Sequence, residues 1–214
     1  LDSLVLGEPQ ILGQLKKAHQ LALQAGTVGK AIDKLMQVAF STSKLIRSKT
    51  EIGSSPVSVA YAATKLAEQI HGDLSSVSAL LIGAGETISL VAKHLKQSNI
   101  KEVVIANRTA ANSRKIADIC AGKIVDLTDI PRELSESDIV VSSVNSRTSL
   151  IGKSVVQLAI KKRLDKPIFL VDLGVPRNIS GEVSTLESAY LYTVDDLKTI
   201  VESNIGSRRD AAIE

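Results

Sequence analysis

The chain has 214 residues, of which 44% are hydrophobic, and it can therefore bury a proper core. Aromatic residues amount to only 2% and the formal net charge is +3, which argues against a carbohydrate-stacking surface, a single-strand nucleic-acid platform or binding by bulk charge. With one Cys, 3 scattered His residues, no secretory leader and no apolar run near the ~18 residues that cross a bilayer, we expect a cytoplasmic protein without a disulfide, a metal site or a membrane segment.

The N-terminal part of the chain is predicted to be helical. Pro9 stands near the first position of a helix, where its missing N–H costs nothing, and the apolar face of that helix recurs at helical spacing through Ile11, Leu12, Leu15, Ala18, Leu21 and Ala22. The glycine-containing segment 26–29 ends this helix, and a second helix follows over 30–49. A Ser-Pro pair then begins a third helix over about 55–71.

From about residue 74 onward, short apolar runs alternate with helical patterns. The runs rich in Val, Ile and Leu are predicted as strands, over residues 78–82, 102–106, 123–127, 138–144, 167–174 and 189–193. Helices are predicted between them, from about 90, over 113–121, around 131–134 and over about 153–163, with another capped by 193–196. Because the strands have few polar interruptions, they fit a sheet covered on both faces. The sequence therefore predicts an α/β fold over about 74–192, a doubly wound parallel sheet of Rossmann type preceded by helices.

A glycine-containing turn joins the first predicted strand to the helix after it, and it reads Gly83-Ala84-Gly85-Glu86-Thr87-Ile88. Gly83 permits the sharp bend, and Gly85 lets the backbone approach a pyrophosphate, whose charge would meet the free N–H groups at the start of the helix. Ile88 stands where the dinucleotide fingerprint has Gly or Ala, which leaves open how closely helix and strand pack. The glycines alone are equally compatible with a plain tight turn.

The end of the second predicted strand supplies a second feature. Asn107, Arg108 and Thr109 occupy the position where NAD-binding sites usually carry an Asp or Glu for the ribose hydroxyls. No carboxylate is present there to repel a 2′-phosphate, and Arg108 could pair with one while Asn107 and Thr109 donate to it. The two features together predict a site for NADPH rather than NADH. The alternative is an exposed turn that caps the helix starting near Ala110.

Cys120 is the only thiol of the chain. A reductase that acts on acyl groups would need a thiolate nucleophile. Cys120 lies near the end of a predicted helix with no His nearby in sequence, and the negative end of the helix dipole raises a thiol pKa. We therefore expect Cys120 to be structural and the chain to hold no catalytic residue.

Separated motifs along the chain resemble glutamyl-tRNA reductase. They are residues 1–14 (LDSLVLGEPQILGQ), 83–87 (GAGET), 106–109 (ANRT), 171–177 (VDLGVPR) and 190–197 (YLYTVDDL), and the resemblance covers essentially the whole chain in order. It implies that NADPH reduces the activated carboxyl of glutamate on its tRNA to glutamate-1-semialdehyde, the first committed step of tetrapyrrole synthesis. It also implies that the Cys that forms the thioester belongs to an N-terminal domain.

The resemblance also implies a division of the chain. Residues 1–51 would be the end of the catalytic, glutamyl-binding domain, 52–73 a linker helix, 74–192 the NADPH domain, and 193–214 the start of a long helix that leads to a dimerisation domain. The residues carried over as glutamyl contacts are Ser3, Glu8, Pro9, Gln10 and Gln14, and those carried over as cofactor contacts are Gly83, Ala84, Gly85, Glu86, Thr87, Ile88, Asn107, Arg108 and Thr109. The complete enzyme would bind glutamyl-tRNA, form a homodimer and have the aminomutase of the next step as a candidate partner. Because the chain starts with Leu and its only Met is Met36, we interpret it as a fragment that binds NADPH without turning over.

Two alternatives stay open at this point. A non-catalytic module could use the same dinucleotide fold to sense redox state or to scaffold a partner. A reductase like shikimate dehydrogenase shares the Asn-Arg-Thr sequence after the second strand. Shikimate enzymes depend on a Lys and an Asp in a preceding α/β domain, whereas residues 1–73 here are predicted to be helical.

Overall fold

The computed structural model describes residues 9–49 and 59–197. Within these ranges the chain forms two compact units, one before residue 58 and the other from Val59 onward. In the described ranges, every helix is too short or too polar to cross a membrane.

The first unit contains two helices, α1 (Pro9–Gln24) and α2 (Lys30–Lys49). The bounds of both helices confirm the prediction. The glycine-containing segment lies between them, and Gly26 has a φ of +67°, a backbone conformation that favours glycine. His19 of α1 is buried, and its Nε2 lies 3.0 Å from a carboxylate oxygen of Asp33 in α2. The edge of the His19 ring also contacts the ring of Phe40. These contacts hold the two helices together.

The second unit is built on a parallel sheet of six strands in the order β3-β2-β1-β4-β5-β6. Their bounds are β1 Ser78–Ile82, β2 Glu102–Ala106, β3 Lys123–Val125, β4 Ile139–Ser142, β5 Ile168–Asp172 and β6 Ala189–Thr193. This strand order is that of a doubly wound dinucleotide-binding fold, so the predicted fold class is confirmed.

Three strands are shorter than predicted, because polar side chains turn the backbone out of the sheet. After β3, Asp126 and Asp129 cap each other across a short 3₁₀ turn over Leu127–Asp129. After β5, the Asp172 carboxylate accepts a hydrogen bond from the backbone N–H of Gly174 at 3.0 Å. After β4, the Ser143 N–H still donates to the Ile82 carbonyl at 2.9 Å, and the next N–H, that of Val144, donates to the side-chain oxygen of Asn178 at 2.8 Å.

The helices of the second unit are α3 Val59–His71, α4 Glu86–Gln97, α5 Ala110–Cys120, α6 Ile130–Glu136 and α7 Lys153–Lys162. The predicted start of α3 at residues 55–56 lies outside the described residues. The helix α5 begins three residues earlier than predicted, because Thr109 already takes the N-cap position. Residues 194–197 are helical, and the rest of the predicted C-terminal helix lies outside the described residues.

The core lies on both faces of the central strands. Leu80 and Ile82 of β1, Val140 of β4 and Leu170 of β5 are completely buried, together with Ile88 of α4. The chain proceeds from β1 to β2 in one direction and crosses back to place β4 on the other side of β1. The carboxyl ends of β1 and β4 therefore flank the point where ligands bind in open α/β sheets.

The opposite end of the sheet is held by a partly buried ion pair. Arg163, at the end of α7, places Nη2 2.7 Å from Oδ1 of Asp138 and donates from Nη1 to the Ser137 carbonyl at 2.6 Å. The other carboxylate oxygen of Asp138 accepts from the Ser78 backbone N–H at 3.0 Å. Burial acts to raise the pKa of Asp138, but the hydrogen bonds from Arg163 and Ser78 outweigh it and lower that pKa. This network ties α7 and the starts of β1 and β4 together.

Candidate dinucleotide site

The glycine-containing turn lies at the carboxyl end of β1. Gly83 has a φ of +111°, a region that residues with side chains rarely adopt, and its N–H donates to the Ala106 carbonyl at 2.9 Å. A Cβ at this position would clash with the backbone carbonyl oxygen of Ser143. The fold itself therefore requires glycine at position 83.

Gly85 differs from Gly83, because the protein leaves the space beside it open. It is the N-cap of α4 with a φ of −81°, which any residue can adopt, and among the described residues no atom beyond its two chain neighbours lies within 4 Å of the position its Cβ would take. Because Gly85 has no side chain, it cannot form a capping hydrogen bond, and the N–H groups of the first helical turn have no acceptor within the helix. These donors and the positive end of the helix dipole face an open space that a phosphate group can fill.

Ile88 is accommodated without loss of packing. Its side chain is fully buried in the contact between α4 and the sheet. Any part that Ile88 takes in binding therefore runs through its backbone, while Ala84 and Thr87 are half-buried and Glu86 is exposed.

Asn107, Arg108 and Thr109 follow β2, and Asn107 and Arg108 border a surface pocket of about 370 Å³. The Asn107 side-chain amide donates to the Thr109 carbonyl at 3.0 Å, which shapes the turn. Thr109 takes the N-cap position of α5, as the alternative interpretation expects, but its side chain makes no capping hydrogen bond. Arg108 is exposed and forms no ion pair or hydrogen bond with any residue that the structure describes.

Two further cations line the same pocket, and both have acidic neighbours. Arg132 of α6 places Nη2 2.7 Å from the buried carboxylate of Glu133 and 3.5 Å from Asp129. Lys123 of β3 lies 4.0 Å from the same Glu133 carboxylate. Among the described side chains of this pocket, Arg108 is therefore the cation left to pair with an incoming anion.

Sequence reasoning missed Lys123 and Arg132 as pocket residues. Both residues lie on or after β3. The strand order of the predicted fold places β3 beside β2, and this order could have indicated that they lie near Arg108. The carboxyl ends of these two neighbours border one pocket.

Family comparisons fit this geometry. Residues 1–50 match the family model described as the N-terminal domain of glutamyl-tRNAGlu reductase, and residues 65–200 match the model described as shikimate / quinate 5-dehydrogenase. The unit with the parallel sheet therefore belongs to the domain family of the second model. The chain is 55% identical to a glutamyl-tRNA reductase from Ectopseudomonas mendocina and 52% identical to one from Saccharophagus degradans, each over 99% of this chain and 50% of the relative.

Over 99% of its length the chain is similar to glutamyl-tRNA reductases. It spans about half the length of the curated relatives it matches. The family is one of oxidoreductases, in agreement with the resemblance seen in the sequence.

Solved structures agree with the family. The glutamyl-tRNA reductase from Methanopyrus kandleri matches with a TM-score of 0.67 and 34% identity, over 95% of this chain and 51% of that one. The nucleotide-binding domain of the glutamyl-tRNA reductase from Thermoplasma volcanium matches with a TM-score of 0.55 and 19% identity, over 72% of this chain and 99% of that domain. The second likeness shows the fold alone.

Cys120 lies at the end of α5 and is buried. Its Sγ donates to the Ile116 carbonyl at 3.2 Å, and burial raises the pKa of the thiol above its ordinary value. This environment keeps the thiol protonated, which supports the structural role predicted for Cys120. In the ranges that the structure describes, no cluster of His, Cys, Asp or Glu residues could hold a metal ion.

The glutamyl contacts expected in a glutamyl-tRNA reductase fall mostly outside the described side chains. Ser3 and Glu8 lie outside the described residues, and Pro9 and Gln10 lie at the start of α1. Gln14 is exposed on α1. These assignments stay predictions.

Proposed function

We propose that this chain provides the NADPH-binding part of a glutamyl-tRNA reductase, which reduces glutamyl-tRNA to glutamate-1-semialdehyde at the start of tetrapyrrole synthesis. The observation that carries the proposal is the open helix start at Gly85, where the fold leaves room for a pyrophosphate in a chain otherwise similar to this family. NADPH supplies a hydride when it is bound.

The residues at the carboxyl edge of the sheet fit this cofactor. Gly83 to Ile88 would place backbone N–H groups and the dipole of α4 against the pyrophosphate. Arg108 would pair with the 2′-phosphate, because a guanidinium binds phosphate oxygens in a two-pronged geometry. Asn107 borders the same pocket, and the hydroxyl of Thr109, which follows Arg108 in the chain, is not used as a helix cap.

The first unit would contribute to binding of the substrate. We propose that Ser3, Glu8, Pro9, Gln10 and Gln14 contact the glutamyl group, within a catalytic part that covers residues 1–51. The linker would cover 52–73, the cofactor domain 74–192, and the start of the helix toward a dimerisation domain 193–214. The thioester-forming Cys would belong to another part of the enzyme, since the thiol of Cys120 is buried.

The partners follow from the same proposal. The complete enzyme would bind glutamyl-tRNA in the cytoplasm, act as a homodimer and have the aminomutase of the next step as a candidate partner. The match of residues 65–200 to the shikimate / quinate 5-dehydrogenase model supports the proposed cofactor domain, and the match of residues 1–50 to the glutamyl-tRNA reductase model favours this enzyme over a shikimate dehydrogenase.

Isothermal titration of the 214-residue chain with NADPH, repeated with NADH, tests the cofactor. We expect saturable binding of NADPH and much weaker binding of NADH. Binding of neither dinucleotide would contradict the proposal. A non-catalytic dinucleotide module would bind the cofactor equally well, so the second arm is an assay of the full-length protein with glutamyl-tRNA, in which semialdehyde must form.

A further inference from the structure

Asn178, in the segment after β5, is fully buried and uses the whole hydrogen-bonding capacity of its side chain. Its Oδ1 accepts from the Ser142 hydroxyl at 3.1 Å and from the Val144 backbone N–H at 2.8 Å. Its Nδ2 donates to the Val144 carbonyl at 2.9 Å and to the Pro176 carbonyl at 3.3 Å. One amide therefore joins the segment after β4 to the segment after β5.

The backbone of Asn178 is fixed as firmly as its side chain. Asp172, at the end of β5, is buried, and its Oδ2 accepts from the N–H groups of Asn178 and Ile179, both at 2.8 Å. The Asn178 carbonyl accepts from the Leu150 N–H at 2.7 Å and from the Ile151 N–H at 3.1 Å. A Cβ at Gly174 would overlap the Asn178 side chain, so the segment closes tightly around it. The segment after β4 is thus held at both of its ends.

The segment held by Asn178 forms one wall of the glycine-containing turn. A Cβ at Gly83 would lie 2.9 Å from Cγ1 of Val144 and would clash with the Ser143 carbonyl. Gly83 and Val144 are therefore in direct contact, and Asn178 binds both backbone polar groups of Val144. A continuous path of contacts runs from Asn178 through Val144 to the proposed pyrophosphate cradle.

The segment after β4 lies on one side of β1, and its position determines which half of a bound dinucleotide it would contact. The pocket beside Arg108 lies at the ends of β2 and β3, on one side of β1. The strands β4 and β5 lie on the other side of β1. A dinucleotide spanning the crevice with its adenosine 2′-phosphate at Arg108 must extend its nicotinamide half toward β4 and β5.

We propose that Asn178 is a positioning residue for the nicotinamide half of the cofactor, an inference that rests on the proposed NADPH function. Asn178 touches no ligand itself, because its side chain is buried and its polar atoms are bonded to protein. It acts by holding the backbone of Val144 in place beside Gly83. Without these hydrogen bonds, the segment containing Val144 becomes more mobile beside the nicotinamide half, whereas the pocket beside Arg108 is unchanged.

The test compares NADPH with adenosine 2′,5′-bisphosphate, which carries the adenosine and the 2′-phosphate but no nicotinamide. Both ligands are titrated into the 214-residue chain and into its Asn178→Ala, Asn178→Asp and Gln157→Ala variants. Gln157 is an exposed amide on α7 and serves as the matched control. The fluorescence of bound NADPH reports the surroundings of the nicotinamide ring, which a role limited to overall folding would not alter.

We expect Asn178→Ala to weaken NADPH binding about tenfold, to shift the emission of bound NADPH toward that of free NADPH, and to leave the affinity for the bisphosphate within about twofold. Asn178→Asp keeps an acceptor for Ser142 and for the Val144 N–H but turns a carboxylate oxygen toward the Val144 and Pro176 carbonyls, so its loss should be at least as large and equally selective for NADPH. Gln157→Ala should match the parent chain. If one of the two Asn178 variants does not fold, as judged by circular dichroism, the other decides the question in the same way.

Equal losses for both ligands in a folded Asn178 variant, or unchanged NADPH binding, would overturn the inference and leave the proposed function intact. Failure of the unaltered chain to bind either ligand would overturn the proposed function and the inference with it.

Discussion

Arg108 is the side chain on which we expect cofactor preference to depend. One charge-assisted contact with a 2′-phosphate contributes roughly 1.5 to 3 kcal/mol, so the chain should bind NADPH at least about ten times more tightly than NADH. Arg108→Ala should bring the two affinities close together by weakening NADPH alone. Titration calorimetry with both dinucleotides measures this ratio.

Arg114 provides the control for that experiment, because it is exposed on α5 and does not line the pocket beside Arg108. Arg114→Ala should keep the preference of the parent chain. Equal affinities of the parent chain for NADPH and NADH would show that the Arg108 guanidinium does not bind the 2′-phosphate. The same conclusion would follow if Arg108→Ala left the ratio of the two affinities unchanged.

At the scale of the element, the start of α4 is expected to bind the pyrophosphate. Gly85→Val should abolish dinucleotide binding while helical content stays nearly unchanged, because the branched side chain would fill the space left open there. Gly152→Val is the matched change, since Gly152 is the N-cap of α7 in an extended conformation, and its Cβ position is equally open in the part of the chain that the structure describes. Circular dichroism and titration report the two properties separately, and retained binding in Gly85→Val would make the turn purely structural.

The end of α7 is anchored by the ion pair between Arg163 and Asp138. Arg163 is buried, but the Asp138 side chain is 31% exposed, so water partly screens the carboxylate that Arg163→Met leaves unpaired, and the variant should lower the free energy of unfolding by about 2 kcal/mol. Lys65→Met removes the cation of the pair with Glu68, in which the lysine side chain is 49% exposed against 5% for Arg163, and should cost less than about 1 kcal/mol. Urea denaturation compares the two, and similar costs would contradict the structural role assigned to Arg163.

The end of α3 should make stability depend on pH. Burial foremost, with a contribution from Arg163, lowers the pKa of His71 below its ordinary value of 6.5, while Asp138 opposes the shift. The unfolded chain then binds more protons, so this contribution to stability is present above pH 6.5 and is lost as the pH falls through the lower pKa of the folded state. Urea unfolding across this window should show a weaker pH dependence in His71→Gln, and an unchanged slope would contradict the assignment.

At the scale of the whole molecule, the sequence predicted the sheet well and its surroundings less well. The strands β1, β2 and β6 have the predicted bounds, because apolar runs between turn residues mark buried strands directly. The 3₁₀ turn over Gly181–Thr185 carries no such pattern and was not predicted. Side chains that meet only through the strand order, such as Lys123 and Arg132 at the pocket or Asn178 against Val144, were also missed. Single-sequence patterns describe neighbours along the chain, whereas these contacts join distant segments.

The whole chain is expected to bind NADPH and yet to reduce no glutamyl-tRNA. Reduction of a carboxyl derivative through an acyl-enzyme needs a thiolate, and the thiol of Cys120 is buried and bonded to the Ile116 carbonyl, with its pKa raised by burial. A full-length enzyme should form semialdehyde, and Cys120→Ser in that enzyme should cost little, because the hydroxyl can donate to the same carbonyl. Semialdehyde produced by the 214-residue chain alone, or loss of activity in full-length Cys120→Ser, would mean that Cys120 takes part in the chemistry.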